Sequence, residues 1–233
     1  MFFLEVTRDL SIGLLYTCLI FFATLLGALP LGLLISFASK TKVKIIRYIT
    51  RAFVWVIRGT PLMLQLIVFV LGPGLLKHSL NATFGLVLPD CFPFVVRGSD
   101  QQLLLVCITF IINYSCYFSE IYRGGIQSIS LGQYEAASVL GMTKSQTFSK
   151  VIFLQVIKRI VAPMSNEIIT LVKDTALASV VIRVDLFTVA QGIVDVSSQV
   201  WPIFYAGVFY LIVNGLLTIL LGKLEKKLDY FKV

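Results

Sequence analysis

The chain has 233 residues, of which 58% are hydrophobic and 14% charged, against roughly 25% charged in an ordinary soluble domain. Its apolar residues gather in long uncharged runs, which excludes a water-soluble globule. The net charge of +8 lies in clusters between those runs; that pattern orients a membrane protein and needs no nucleic acid to explain it.

The opening stretch MFFLEVTRDL carries Glu5, Arg8 and Asp9 ahead of the first run. It lacks the basic head and short apolar stretch of a secretory signal, so that run is expected to be retained as a span. Leu10 to Ser39 has no formal charge and exceeds the roughly 20 residues that cross a bilayer, giving a first span over 10–38. Segment 40–57, KTKVKIIRYITRAFVWVI, alternates basic and apolar residues and can lie along the inner interface. Gly59 to Leu76 supports a second span over 57–76, with Gly59, Thr60 and Pro61 permitting a break at its start. Interrupted helices of that kind line membrane binding sites.

The loop at 77–100, with Pro89, Pro93, Gly98 and Ser99, reads as irregular, and its His78 has no catalytic or metal-binding companions. Gln101 to Ser119 gives a third span over 101–122. There Asn113, Tyr117 and Glu120 are four and three residues apart and share a helix face. Asn113 and Tyr117 can hydrogen-bond either a solute or another helix; Glu120 is expected to pair with Arg123 or with a backbone donor. Val196 to Gly222 supports a last span over 200–222.

Basic residues follow the first run (Lys40 to Arg58), the third (Arg123 to Arg159) and the last (Lys223 to Lys232). All three clusters are expected to be cytoplasmic, so one more crossing must separate the third run from the last. The available segment is 160–182, IVAPMSNEIITLVKDTALASVVI. The expected topology is five spans in a single all-α domain over 1–233, N-terminus outside and C-terminus inside, with outer loops at 77–100 and 183–199.

The fourth span carries Glu167, Lys173 and Asp174. Ionisable groups inside a membrane are costly and face a partner or a watery cavity. At helical spacing Asn166, Thr170 and Lys173 form one stripe, and Glu167, Thr170 and Asp174 its neighbour. Lys173 and Asp174, near the helix end, are expected to hold the bundle by pairing. Glu167 lies deeper, with no cation three or four residues on; it can contact a solute's ammonium group or pair with an interfacial arginine. Cys18, Cys107 and Cys116 lie in apolar runs and Cys91 in a loop, without ligand spacing, and are read as small hydrophobes.

Between the third and fourth spans lies EAASVLGMTKSQTFSKVIFLQ, 135–155. Gln133 to Leu140 reads as a short helix with Glu135 near its N-terminus, where a carboxylate complements the helix dipole. Gly141 breaks it, and a second, amphipathic helix begins near Thr143 with Phe148, Val151 and Ile152 on one side. The small residues Ala136, Ala137 and Gly141 suit close approach to a groove on another protein.

At these residues the chain resembles the EAA motif of bacterial ABC importer permeases, read here as Glu135, Ala136, Ala137, three residues, then Gly141. RGTPLMLQL (58–66), YFSEIYRGGIQSI (117–129), TFSKVIFLQVIKR (147–159) and NEIITLVKDTALAS (166–179) each resemble a block of the polar amino-acid uptake branch, in the same order. The resemblance implies a type I ABC importer permease fold whose cytoplasmic coupling helices, 130–155, dock an ATPase through Glu135, Ala136, Ala137 and Gly141. It further implies two ATP-binding cassette subunits, a second permease chain, an extracytoplasmic solute-binding protein, an amino-acid substrate and a place in the bacterial inner membrane. The substrate pathway is expected at Gly59, Thr60, Asn113, Tyr117, Asn166, Glu167 and Thr170, with Glu120, Arg123, Lys173 and Asp174 structural or gating. Ser130 and Leu131 stand where the branch has proline and a basic residue, and Leu154 where it has proline.

The chain has no GxxxxGK[ST] phosphate loop, its GK pair being Gly222-Lys223 followed by Leu224. No cofactor is expected in this chain; ATP and magnesium belong to the partner ATPase, and the chain is not itself expected to be an enzyme. An ion-coupled or passive carrier is the second reading, which the five-span count and the exposed docking stretch argue against. An intramembrane enzyme would need a nucleophile with a positioned base or a metal cluster, and one histidine with scattered carboxylates supplies neither.

Overall fold

The computed structural model describes residues 2–84 and 99–228, and the described residues are helical nearly throughout. The first helix, α1, is Phe2–Lys40 and tolerates Pro30 within it. A short turn leads to α2, Lys44–Gly59, which ends where Thr60 and Pro61 adopt extended backbone. The next helix, α3, covers 62–84 and passes through a π-helical turn at Ile67–Leu71. Gly59 thus belongs to the preceding helix, and the expected second span begins at Leu62 instead of residue 57, because Pro61 cannot continue a helix whose preceding residues are wound.

α4 is Ser99–Gln127 and α5 the short Leu131–Val139. α6 covers 144–174, with a π-helical turn at Phe148–Ile152 and Pro163 inside its second half, and tightens into a 3-10 turn at Thr175–Val180. The outer loop expected at 183–199 contains a further helix, α7, Leu186–Ser197. Asp185 caps it by accepting from the Phe187 amide at 3.1 Å, which satisfies one of the unpaired N–H groups of a helix start. α8 is Trp201–Leu228. Cys91, Pro89, Pro93 and Arg97 lie outside the described residues.

Among the described residues four helices are long and apolar enough to cross a membrane: Phe3–Lys40, Leu62–Thr83, Asp100–Gln127 and Trp201–Leu228. The expected fourth crossing, 160–182, falls on the helix Phe153–Asp174 and the 3-10 turn after it, and the charges of that helix, Lys158, Arg159, Glu167, Lys173 and Asp174, keep it outside that group.

The main core joins Phe21 and Ala28 of α1, Leu66 and Val70 of α3, Phe110 and Phe118 of α4, and Leu171 and Val172 of α6. A second cluster packs Val6 and Leu10 of α1 on Leu186 and Ala190 of α7 and Ala206 of α8. α1 lies close on α4 because glycine leaves room: a Cβ at Gly32 would come within 2.9 Å of the Ser115 carbonyl. Leu186 sits equally close to Gly13, where a Cβ would meet the Leu186 Cα at 2.9 Å. The main core sets α4 and α6 side by side, and the break at Thr60 and Pro61 faces both.

Candidate functional site

Where α2, α4 and α6 meet, a cavity of about 500 Å³ opens. The break contributes Arg58, Gly59, Thr60 and Pro61; α4 contributes Asn113, Tyr114 and Tyr117; α6 contributes Glu167, Thr170 and Asp174. On α6 Glu167, Thr170 and Asp174 are three and four apart, and on α4 Asn113 and Tyr114 are four and three before Tyr117, the spacings that keep side chains on one side of a helix. Among the side chains around the cavity, the guanidinium of Arg58 and the carboxyl groups of Glu167 and Asp174 give a formal charge of one negative.

The broken backbone is held by one side chain. Gln65, buried on α3, donates through Nε2 to the Ile57 carbonyl at 2.7 Å, the Thr60 carbonyl at 3.1 Å and Thr60 Oγ1 at 2.7 Å. Thr60 Oγ1 donates in turn to the Val56 carbonyl at 2.9 Å, and Asn113 Nδ2 donates to Gln65 Oε1 at 3.0 Å. Carbonyls left over at the end of α2 are thereby satisfied without water. Asn113 is committed to this clamp through its amide nitrogen, and its side-chain oxygen keeps acceptor capacity toward the cavity.

Arg58 lies with its guanidinium 5.0 Å from the centre of the Tyr117 ring and 3.9 Å from Glu120, a stacked and ion-paired placement suited to a planar cation. Glu120 is held more tightly by Arg123, whose Nε donates at 3.0 and 3.1 Å to its two oxygens. Tyr114 OH donates to Asp174 Oδ2 at 2.7 Å, fixing that carboxylate at the cavity wall. Asp174, expected in a structural or gating role, lines the cavity beside Glu167 and Thr170.

Asn166 does not. It is exposed and outside the cavity, its carbonyl accepting from Thr170 Oγ1 at 2.9 Å. Asn166 and Glu167 are consecutive, about 100° apart around a helix, and here the packing selects the stripe of Glu167, Thr170 and Asp174. Lys173 is likewise exposed and outside the cavity. Arg58, Tyr114 and Gln65 were not singled out by the sequence. For Arg58 the signal was its place immediately before Gly59-Thr60-Pro61.

At the other end of α4 and α6, α5 forms the docking candidate. Its last turn closes in a Schellman motif: the Met142 amide donates to the Ala137 carbonyl and the Gly141 amide to the Ser138 carbonyl, both at 3.0 Å. Gly141 takes φ +69°, which a residue without Cβ adopts at no cost. Thr143 and Gln146 then form a reciprocal capping box that starts α6. α5 begins at Leu131, so Glu135 lies in its second turn and not beside its first free amides, as the sequence reading had it. Ser130 at its N-cap has φ −64°, the value a proline would hold, and Leu154 continues α6 as ordinary helix.

Glu135 and Ala136 are exposed, whereas Ala137 is buried beneath them. Leu131, Val139 and Leu140, each more than three-quarters exposed, leave an apolar outer face. The inner side is anchored: Ile129, Ile152 and Val156 form a small core, Gln155 Nε2 donates to Gln133 Oε1 at 3.3 Å, and Arg159 donates to the Ser128 carbonyl.

A sequence profile described as "Binding-protein-dependent transport system inner membrane component" matches residues 28–230. The chain is 34% identical, over 95% of its length and 87% of the relative's, to the L-cystine transport system permease protein TcyB of Bacillus subtilis strain 168. It is 28% identical, over 94% of its length and 92% of the relative's, to the arginine ABC transporter permease protein ArtM of Haemophilus influenzae. Among solved structures, an amino acid ABC transporter with histidines superposes with a TM-score of 0.79 at 29% identity, covering 97% of this chain and 96% of that one. An inward-facing form of the MetNI methionine ABC transporter shares the fold, with a TM-score of 0.65 at 18% identity.

Proposed function

Because the chain belongs to the family of binding-protein-dependent transport inner membrane components, we propose that it is the permease subunit of an ATP-driven importer whose substrate is a cationic amino acid. The chain is an ABC transporter permease of the amino-acid group and not itself an enzyme. The finer reading adds five spans, the fourth being 160–182, with the N-terminus outside. Two such permease chains, or this one and a similar partner, stand on two ATP-binding cassette subunits below a solute-binding protein. α5 and the start of α6 carry the motion of the ATPase pair upward, and the cavity opens alternately to the two sides.

The charge of the cavity supports the substrate class. Arg58 meets an α-carboxylate, and Glu167 and Asp174 are available to two cationic groups, the α-ammonium and a side-chain guanidinium or ammonium. An amino acid with one net positive charge matches a site with one net negative charge. Such attractions strengthen where water is excluded. Cystine is a second reading, favoured by the resemblance to the L-cystine permease; its two ammonium groups can meet the same two carboxylates.

Transport by the assembled complex in proteoliposomes tests this directly. Glu167→Gln should lower uptake of arginine or lysine by about tenfold or more, the scale of one charge-assisted hydrogen bond, and leave glutamine uptake nearly intact. Equal loss for all amino acids would place Glu167 on the shared α-ammonium. Unchanged transport of every substrate would remove it from the site. Cystine uptake that outcompetes arginine in the unmodified complex would favour the second reading.

A further inference from the structure

Glu120 stands between two guanidinium groups and is shared unequally. Arg123, about one turn on along α4, surrounds it: Nε donates to the two carboxylate oxygens at 3.0 and 3.1 Å, and Nη2 donates to Oε2 at 2.5 Å. The remaining nitrogen, Nη1, donates to Gln127 Oε1 at 2.6 Å, so all three nitrogens of Arg123 are engaged. Arg58 approaches Glu120 Oε2 at 3.9 Å, too far for a hydrogen bond. Among the described residues its guanidinium donates no hydrogen bond. It lies over the Tyr117 ring, 5.0 Å from the centre, with its donors free at the cavity wall. Glu167, on the α6 wall, is within electrostatic range of Arg58 but forms no ion pair with it among the described residues.

A carboxylate gripped through both oxygens by one guanidinium has little left to offer a second, because bidentate, charge-assisted bonds are the strong ones. Without Arg123, the Glu120 charge would fall to Arg58. Closing 3.9 Å to hydrogen-bond distance takes a movement of about 1 Å, within the reach of a long side chain that is 41% exposed. The other cation in electrostatic range of Glu120 is Arg51, whose Nε donates to the Ser39 carbonyl at 3.3 Å. Arg58 bound to Glu120 in that way would turn its donors from the cavity.

We propose that Arg123 is a positioning residue for substrate recognition: by occupying Glu120 it keeps Arg58 free to meet the α-carboxylate of the amino acid. Neither Arg123 nor Glu120 lines the cavity, so the effect reaches the substrate through Arg58. This inference rests on the reading that Arg58 meets an α-carboxylate, whichever side chain the substrate carries.

Equilibrium binding to the purified complex of permease and ATPase tests it. The ligands are the amino acid that the complex transports best and the amine left by its decarboxylation, arginine and agmatine for a cationic substrate; the amine lacks the α-carboxylate. Arg58→Gln should weaken binding of the amino acid about tenfold or more, the scale of one hydrogen bond to a charged group, with no such loss for the amine. Equal effects on both ligands would remove the α-carboxylate reading and the proposal with it. Given that selectivity, Arg123→Gln should weaken the amino acid by a similar factor and spare the amine. Glu120→Gln in the same chain should reverse the loss, since it removes the competitor for Arg58. A merely structural role for Arg123 would weaken both ligands, and the second change would not restore them. Arg123→Lys, which offers a point charge in place of a planar fork, should give a smaller loss of the same kind and stands in if Arg123→Gln does not assemble. Full affinity for the amino acid without Arg123, or a loss that Glu120→Gln leaves unrelieved, overturns the proposal while the Arg58 reading stands.

Discussion

Burial pushes the Asp185 carboxyl above the ordinary aspartate range, against the opposing hydrogen bonds from the Thr188 hydroxyl and from the Phe187 and Thr188 amides. The folded protein then binds this proton more tightly than the unfolded chain does. The contribution to stability is fully present below the unfolded value and is lost as pH rises through the raised folded one. Asp185→Asn keeps the cap on α7, since asparagine caps as well as aspartate, and removes the ionisation. Thermal unfolding of the purified protein should therefore fall with rising pH in the wild type and flatten in Asp185→Asn over the same window. Asp185→Ala should lower stability at every pH by about 1 kcal/mol. Gly141 is a second single-residue test. The space around it is empty, so Gly141→Ala meets no clash but places a Cβ at positive φ, costing roughly 1–2 kcal/mol locally. Gly141→Asn should be better tolerated. Co-purification with the ATPase, ranked glycine, asparagine, alanine, leucine, checks whether that turn is what the partner reads.

At the scale of elements, the seam between α1 and α4 distinguishes backbone contact from side-chain contact. A Cβ at Gly27 meets the flexible end of Ile111 at 2.7 Å, whereas one at Gly32 meets the Ser115 carbonyl at 2.9 Å. Gly27→Ala should cost less than Gly32→Ala, because Ile111 can swing its Cδ1 away although its preferred χ1 holds Cγ1 and Cγ2 at 2.9 and 3.1 Å. Gly32→Ala should cost about 1–3 kcal/mol, the range for overpacking that backbone must absorb, visible as a drop in melting temperature of the purified complex. The helices themselves were legible in the sequence because a bilayer demands length and neutrality from each crossing, and the Gly141 break because glycine and a following Thr-x-x-Gln capping box are local signals. α7 was missed because Leu186–Ser197 is too short to cross and carries Gly192 and Asp195, so it reads as loop unless Asp185 is taken as its cap. The cavity was legible on α4 and α6, where spacing alone aligns Asn113 with Tyr117 and Glu167 with Thr170 and Asp174. Which of two adjacent stripes on α6 faces inward is a packing decision that spacing cannot make. Arg58 was invisible as a site residue for a related reason: in sequence it ends a basic cluster, and only the step at Thr60 and Pro61 turns it toward Tyr117.

For the whole molecule, the proposed orientation can be read by accessibility. With all native cysteines replaced, a cysteine at Ser79 or Ser198, both exposed, should react with an impermeant thiol reagent added outside intact cells. One at Ser145, in the first turn of α6, should react only after the membrane is opened; labelling of 145 in intact cells would reverse the topology. The longest helix adds a constraint that no single residue reveals. The uncharged stretch of α1 from Leu10 to Ser39 is roughly 45 Å long at helical rise, while the hydrocarbon layer is roughly 30 Å thick. A rod of that length meets the mismatch by leaning, bending or thickening the bilayer around it, and its neighbours in the bundle take part in that adjustment. Since Gly27 and Gly32 lock α1 onto the helix that carries Asn113, Tyr114 and Tyr117, a thicker or thinner membrane would act on one wall of the cavity through it.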